Sequence, residues 1–183
     1  MEKILDKGVL FFARKGDLNS ATTIIKRNTD IDINMQDRYG RTFLSYASEI
    51  GSLSEIILAK KRDANPNIAD KNGLTPLMYS AMNGYTRCSE ELVFMIKDKK
   101  IINVIDNEGN TALMHAAKHG RTRDVLLLLR SGADKSIKNL ENLTASSIAR
   151  LYGWIELSKI IKRYSTDLTI YKNIKTLQNE VRK

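Results

Sequence analysis

Apolar and polar positions along the chain follow a pattern that recurs four times. Each recurrence has a polar turn ending in Gly (once Asn), a Thr two residues later, a short segment rich in small residues, and a second Gly nine residues after the Thr. A more apolar segment follows, as at 56–58, 92–96 and 125–129. Three series of markers keep the same spacings of 33, 36 and 33 residues: Gly40, Gly73, Gly109 and Asn142; Thr42, Thr75, Thr111 and Thr144; and Gly51, Gly84, Gly120 and Gly153.

Each unit of this pattern predicts two short helices joined by tight turns. The sequence at 70–73, Asp-Lys-Asn-Gly, suits a turn whose Gly adopts positive φ. We expect the Thr hydroxyl to cap the first helix by accepting a hydrogen bond from its backbone. Pro76 follows Thr75 at the first helical position, where a backbone N–H is not needed. Units of this kind stack side by side and share one core, which predicts an all-α solenoid.

These residues resemble the ankyrin repeat, most closely at 70–77 and 109–113 and in the continuation at 129–134. The resemblance implies an ankyrin-repeat solenoid of stacked helix–turn–helix units with β-turn loops over residues 1–164. The first and last units are degenerate, as terminal repeats whose end faces meet solvent commonly are. The five units span about 4–36, 37–69, 70–105, 106–138 and 139–164.

The chain departs from the family pattern in two ways. The third unit is three residues longer than its neighbours, which predicts an extended second helix or loop between Gly84 and Asp106. The family usually has His three residues after the Thr, and without it we expect a polar tie within each repeat to be missing. That place holds Ser45, Met78, Met114 and Ser147.

Residues 165–183 fall outside the repeat pattern and predict a basic amphipathic C-terminal helix. Ile170, Ile174, Leu177 and Val181 recur at intervals of four, three and four, so one face of this helix is apolar. Such a helix either covers the exposed end of the array or docks on a partner or a membrane.

Net charge is the one unusual feature of the composition. The 183 residues include 30 Lys and Arg against 21 Asp and Glu, which gives a net charge of +9 and favours acidic partners. No apolar run approaches the roughly 20 residues of a membrane helix, and the N-terminus has no signal-peptide core. The single cysteine, Cys88, excludes an internal disulfide. These features predict a cytoplasmic protein, or one exported by a route that leaves no such mark. We expect it to be a monomer when alone.

The chain offers no constellation of catalytic or metal-binding residues. His115 and His119 lie four residues apart on a predicted helix, but Ala116 stands where a zinc protease has Glu. The sequence has no third His, and Cys88 lies in another repeat. We therefore expect a non-enzymatic protein with no metal and no cofactor.

The resemblance implies protein binding through a concave face built from the turn tips and the first helices. Members of the family contact partners through two residues at the turn tip, one after the Gly, and two late in the first helix. Besides Glu49 and Glu141, these positions hold Arg38, Tyr39, Arg41 and Ile50; Lys71, Asn72, Leu74, Met82 and Asn83; Asn107, Glu108, Asn110, Lys118 and His119; and Leu140, Leu143, Leu151 and Tyr152.

Apolar residues are frequent among these positions, which favours an interface, although Ile50 and Leu151 would also fit between helices. Four basic and three acidic residues leave a net charge of +1, unlike the concentrated basic charge of a nucleic-acid groove. The leading hypothesis is a module that binds a protein with an acidic surface, as an inhibitor or immunity protein. The alternative is an accessory protein that binds nucleic acid or an anionic membrane through its basic convex side and tail.

Overall fold

The computed structural model describes residues 2–165, with their side chains from residue 7 onward. Within that part the chain is helical and has no strands, which confirms the all-α prediction. The C-terminal helix predicted at 165–183 lies outside the described residues except for its first position. The described helices pair into five repeats: α1 (Glu2–Arg14) with α2 (Leu18–Arg27), α3 (Phe43–Ile50) with α4 (Leu53–Lys61), α5 (Pro76–Asn83) with α6 (Thr86–Met95), α7 (Ala112–Lys118) with α8 (Thr122–Arg130), and α9 (Ala145–Leu151) with α10 (Ile155–Arg163).

The helices form two layers with the core between them. The first helices, α1, α3, α5, α7 and α9, contact one another in order, and α4, α6 and α8 do so in the second layer. The two helices of each repeat also contact each other. Buried apolar side chains run without interruption along the stack, from Val9 and Ile25 through Leu113 to Ile161. Each repeat therefore completes its core only by packing on its neighbours.

Threonine hydroxyls cap the first helices of repeats two to five, as the sequence predicts. Each hydroxyl accepts a hydrogen bond from the backbone N–H three residues later, at 3.2 to 3.4 Å. Pro76 is the first residue of α5, in the place where its missing N–H has no consequence. The capping residues are Thr42, Thr75, Thr111 and Thr144.

The expectation that a polar tie is missing from every repeat is wrong for two of them. Ser45 Oγ accepts a hydrogen bond from the Thr42 N–H at 3.3 Å, and it lies 3.1 Å from Thr42 Oγ1. Ser147 Oγ lies 3.1 Å from Thr144 Oγ1. A serine hydroxyl is short, but it reaches the capping residue because the two lie on the same turn of helix.

The three additional residues of the third repeat lengthen the connection after its second helix. Helix α6 has ten residues, against nine in α4 and nine in α8. A 3₁₀ helix, Lys99–Asn103, follows before the next turn, and Asp98 Oδ1 accepts a hydrogen bond from the Lys100 N–H at 3.0 Å. The extension is therefore a capped helical turn.

Two buried carboxylates join the second helices of neighbouring repeats. Asp124 of α8 accepts hydrogen bonds from the hydroxyls of Ser89 at 2.6 Å and Thr86 at 2.8 Å, both on α6. Burial raises the pKa of Asp124 above its ordinary value, because its hydrogen bonds only partly replace lost hydration. Glu55 of α4 likewise accepts a hydrogen bond from Thr22 of α2 at 3.4 Å.

The glycine that ends each turn meets two demands, one of conformation and one of space. Gly73 has φ of +80°, and a Cβ built there would lie 2.8 Å from Asp106 Cα in the next turn. Only glycine satisfies both demands. The last of the four turns, in the fifth repeat, has no later turn against it in the described residues, and Asn142 takes the position with φ of 62°. Asn is one of the few other residues that adopt this conformation readily.

We predict that Gly73→Ala destabilises the protein more than Gly16→Ala. Gly16 has nearly the same φ, +81°, but its built Cβ would have no atom within 4 Å. The left-handed conformation costs Ala roughly 1–2 kcal/mol at either position, and overpacking adds about 1–3 kcal/mol at Gly73. Urea unfolding followed by circular dichroism measures both losses. Equal losses would show that the close approach of the turns contributes nothing.

Candidate functional site

Four turns between the repeats are closed in the same way. In each, one side-chain oxygen of the first residue accepts two backbone N–H hydrogen bonds at 2.8 to 3.1 Å. The acidic residues that recur at the start of these turns therefore close them, as the turn prediction requires. The four residues are Asp37, Asp70, Asp106 and Asn139.

Single backbone hydrogen bonds join these turns into one row. Each later turn donates an N–H to a carbonyl oxygen of the turn before it. We call the surface formed by the four turns and the adjacent exposed sides of the first helices the concave face. The three joining bonds run from Lys71 N to Tyr39 O (2.9 Å), from Asn107 N to Asn72 O (3.0 Å) and from Leu140 N to Glu108 O (3.1 Å).

A second polar contact holds each of the first three turns against its helix. The free carboxylate oxygen of Asp37 accepts a hydrogen bond from the Tyr46 hydroxyl at 2.6 Å, and Asp70 accepts one from Tyr79 at 2.7 Å. In the fourth repeat, His115 Nε2 lies 2.7 Å from the Asp106 carboxylate. Sequence reasoning missed this contact, although a spacing of nine residues between the members recurs in all three pairs.

The pKa values of these groups reflect burial together with the hydrogen bonds. Burial and the hydrogen bond to Asp37 raise the pKa of the Tyr46 hydroxyl. Burial alone would raise the pKa of Asp37, but its hydrogen bonds with Tyr46 and with the backbone hold it below its ordinary value. Burial lowers the pKa of His115 despite its carboxylate partner. The fold therefore favours the ionised carboxylate of Asp37 and the neutral imidazole of His115.

Arg41 connects the second and third repeats on the concave face. Its guanidinium carbon lies 4.1 Å from the ring centroid of Tyr46 and 4.4 Å from that of Tyr79. Glu49 completes the arrangement with an ion pair of 2.6 Å to the same guanidinium. The Arg41 side chain is 15% exposed, so most of it already packs within the protein. Only the small exposed part of the Arg41 side chain is available for the predicted contact with a partner.

None of the 18 predicted contact residues is buried, and contact with a partner remains a prediction for all of them. The idea that Ile50 and Leu151 lie between helices is wrong, because they are 43% and 68% exposed. Leu74 and Leu143 pack partly against the core. The exposed members are Arg38, Tyr39, Ile50, Lys71, Asn72, Asn107, Glu108, His119, Leu140, Leu151 and Tyr152, and the half-buried ones are Arg41, Leu74, Met82, Asn83, Asn110, Lys118 and Leu143.

Eight of these residues come together in one cleft at the C-terminal end of the concave face. The cleft has a volume of about 330 Å³ and lies between the turns and first helices of the fourth and fifth repeats. Lys118 lies on its wall, with its ammonium nitrogen 5.4 Å from the ring centroid of Tyr152. The eight residues are Asn107, Glu108, Asn110, Lys118, Leu140, Leu143, Leu151 and Tyr152. We call this site the C-terminal cleft.

Metal ligands and the single cysteine were the remaining candidates for a chemical site in the described residues. They contain no group of three or more His, Cys, Asp and Glu residues placed to hold a metal ion. Cys88 is buried, and burial raises the pKa of its thiol, which disfavours a reactive thiolate. Among the same residues no helix is long and apolar enough to cross a membrane.

Comparison with known proteins agrees with this architecture. A family model described as ankyrin repeats (3 copies) matches residues 9–95 and 53–139, which together cover most of the chain. The chain belongs to the ankyrin repeat family. Ankyrin repeats generally mediate protein–protein interaction, and the family is typically non-enzymatic.

One curated relative is an ankyrin repeat protein of Rickettsia bellii (strain RML369-C). It is 33% identical to this ankyrin repeat chain over 91 residues. The match covers 48% of this chain and 14% of the relative, so this chain spans only a small part of that protein's length.

We predict that His115→Tyr makes the stability of the protein less sensitive to acid. The folded pKa of His115 lies below its ordinary value, so protonation weakens the fold as the pH falls below about 6.5. Tyrosine, which the second and third repeats use at this place, carries no charge in that range. Urea unfolding at about pH 7.5 and about pH 5 measures the loss in each protein.

The difference between wild type and variant isolates His115 from the other groups that titrate in this range. Asp106, His119 and Lys118 face or neighbour the imidazole and remain in both proteins. An identical loss of stability in the two proteins would contradict the prediction.

Proposed function

We propose that this ankyrin repeat protein binds a partner protein through its concave face, without catalysing a reaction. The exposed apolar residues of the C-terminal cleft carry the proposal. Leu140 is 79% exposed and Tyr152 is 51% exposed, and both line the same cleft as Leu151. Soluble proteins expose single apolar residues freely, but a group of them in one depression is typical of an interaction site.

The chemistry around these apolar residues also supports a protein interface. Asn107, Asn110 and Glu108 surround them with donors and acceptors, and Lys118 adds one positive charge. An apolar centre with a polar rim is the usual composition of such an interface. A stable complex buries roughly 1,200–2,000 Å² in total, which requires contacts beyond this cleft and along the row of turns.

The charge of the protein bears on the kind of partner that it binds. The net charge of +9 favours a partner with an acidic surface, through long-range attraction. We propose that the protein acts in the cytoplasm as a monomer and that binding is itself its effect. It would then cover a functional surface of its partner, as an inhibitor or immunity protein does; this part rests on analogy within the family.

A second candidate function uses the opposite surface, formed by the second helices. Phe94 of α6 is 75% exposed, and the ammonium of Lys60 lies 4.1 Å from its ring centroid. Lys97 lines the same depression, which has a volume of about 600 Å³, and so do Asp63 and Asp98. Lys60 also forms an ion pair of 2.9 Å with Glu91. An aromatic ring among lysines is a feature of sites that bind single-stranded nucleic acid. This surface is therefore the place where the nucleic-acid alternative would act; an anionic membrane is the other ligand that its lysines would attract.

We predict that the triple variant Tyr39→Ala/Leu140→Ala/Tyr152→Ala loses the partner. Immobilised wild type and variant would be used to capture proteins from lysate of the source cells, at low and at moderate salt. All three residues are exposed, so the variant should stay folded. Anchor residues of an interface contribute about 2 kcal/mol or more each, so retention should fall at least 30-fold. Leu74 is left intact because it packs partly against the core.

The matched control is Ile57→Ala/Phe94→Ala/Ile160→Ala, which removes three exposed apolar side chains from second helices. A stoichiometric partner retained by the control and lost by the concave-face variant supports the proposal. The reverse pattern would overturn it. Capture of nucleic acid alone, lost steeply with rising salt, would favour the second candidate function.

A further inference from the structure

The row of turns is incomplete at its first member. In each later turn the residue after the turn-closing Asp or Asn donates its backbone N–H to the preceding turn; these residues are Lys71, Asn107 and Leu140. Arg38 holds the same position in the first of the four turns, and the described residues before Asp37 contain no turn of this kind. Within residues 7–165 the Arg38 N–H forms no hydrogen bond. The first turn thus presents the donor that its successors use for stacking.

A groove lies beside this donor. It has a volume of about 440 Å³ and runs between α1 and the segment 35–38. Lys7, Leu10, Phe11 and Arg14 form its helical wall, at the spacing i, i+3, i+4 and i+7 that places them on one face of α1. Leu10 is nearly buried, whereas Phe11 is 49% exposed, so the groove has an apolar floor that solvent reaches.

The charges at the groove are almost wholly positive. Lys7, Arg14 and Arg38 line it, and none of them forms an ion pair within residues 7–165. Within residues 7–165 the guanidinium of Arg38 hydrogen-bonds to the hydroxyl of the neighbouring Tyr39, which accepts at 2.6 Å.

Asp37 also lines the groove, but both of its carboxylate oxygens are engaged within the protein. One oxygen accepts from two backbone N–H groups of its own turn, and the other accepts from the Tyr46 hydroxyl. Its oxygens are therefore not available to a ligand, but its negative charge remains, so Lys7, Arg14 and Arg38 leave the groove with a net charge of +2. The C-terminal cleft differs, because Glu108 and Glu141 line it together with Lys118. Positive charge without a partner is concentrated at the first-repeat end of the concave face.

We propose that this groove binds an extended acidic segment of the partner protein, in the place of the missing turn. A backbone carbonyl of the segment accepts the hydrogen bond from Arg38 N–H, as a preceding turn would. Its carboxylates face Lys7, Arg14 and Arg38, and one bulky apolar side chain lies on Phe11. The contact would resemble strand addition in that a backbone hydrogen bond holds an extended peptide and side-chain contacts supply specificity. It deepens the function proposed above and rests on it.

The chain's own C-terminal segment is a poor occupant on grounds of charge. Residues 166–183 contain four basic and two acidic residues, so the cations of the groove would repel them. An acidic segment from another protein has the complementary charge, so the cations of the groove would attract it.

The probes are synthetic nine-residue peptides with Asp and Glu around one central Leu or Phe. Two control sets have Lys in place of the acids or Ala at the centre, and a peptide of residues 166–183 tests the chain's own tail. Binding to the full chain is followed by fluorescence anisotropy, and the Arg38 amide by ¹H–¹⁵N spectra. We expect binding of acidic peptides only, with a downfield shift of the Arg38 amide proton and its protection from exchange.

Two substitutions at Arg38 distinguish the contribution of its backbone N–H to binding from that of its side chain. Arg38→Ala removes the guanidinium and keeps the N–H, whereas Arg38→Pro removes both. The residue is second in a turn closed by a Gly40 N to Asp37 O hydrogen bond of 2.9 Å, a position that proline favours. We expect Arg38→Ala to weaken binding by up to about 5-fold. Arg38→Pro should weaken it by a further 2- to 10-fold, the effect of one hydrogen bond.

Charge reversal tests the remaining cations. Lys7→Glu/Arg14→Glu should reduce the affinity for acidic peptides by more than about 10-fold. The matched control, Lys138→Glu/Arg150→Glu, changes the net charge equally at exposed residues that do not line the groove. Equal losses in the two variants would show that the attraction is a property of net charge and would overturn the assignment to this groove.

The other outcomes also decide the proposal. No acidic peptide with a Kd below about 1 mM, equal binding of Lys-containing peptides, tighter binding of the 166–183 peptide, or equal affinities of Arg38→Ala and Arg38→Pro would each overturn it. The captured partner distinguishes this inference from the proposed function. If groove variants retain the partner and the Tyr39/Leu140/Tyr152 variant loses it, the concave face binds and the groove does not.

Discussion

Close contact between the backbones of successive turns is the constraint on which the rest of this structure depends. The N–H of one turn reaches a carbonyl of the turn before it only because no side chain stands between them, and Gly40, Gly73 and Gly109 leave that space empty. This contact sets the separation of the repeats at their edge. It thereby determines that Arg41 of one repeat reaches the Tyr79 ring of the next.

The sequence predicts the fold well because the signals that define it are local and repeated. Helix caps, turn glycines and the period of the repeats each depend on residues a few positions apart. The contacts it missed depend on packing: Asp124 with Ser89 and Thr86 joins residues 35 and 38 apart. Asp106 and His115 are nine residues apart in the sequence, a spacing that recurs in the second and third repeats. That spacing indicates a contact only once the structure shows the turn packed against its helix.

The concave face could be predicted as a set of positions but not as a surface with distinct ends. Family resemblance selects the same five places in every repeat, whatever surrounds them. The structure shows that Leu74 and Arg41 are largely engaged in packing, whereas Leu140 and Leu151 are free to contact another molecule. It also shows a groove beside α1 that the positional rule omits, because the first repeat has no turn to which the rule applies.

The two ends of the concave face differ in what they offer a partner. The end at α1 presents cations and the Arg38 N–H, which forms no hydrogen bond within residues 7–165. The end at α9 presents apolar side chains with acidic and basic groups near balance. Charge acts at long range and mainly accelerates association, while apolar contacts act only when the surfaces meet and slow dissociation. A partner that used both ends would therefore bind in one direction along the row of turns, with its acidic segment at α1. A net charge of +9 attracts every acidic molecule and therefore cannot by itself select one partner. Specificity would come from the separation of charged and apolar surface at the two ends of the concave face.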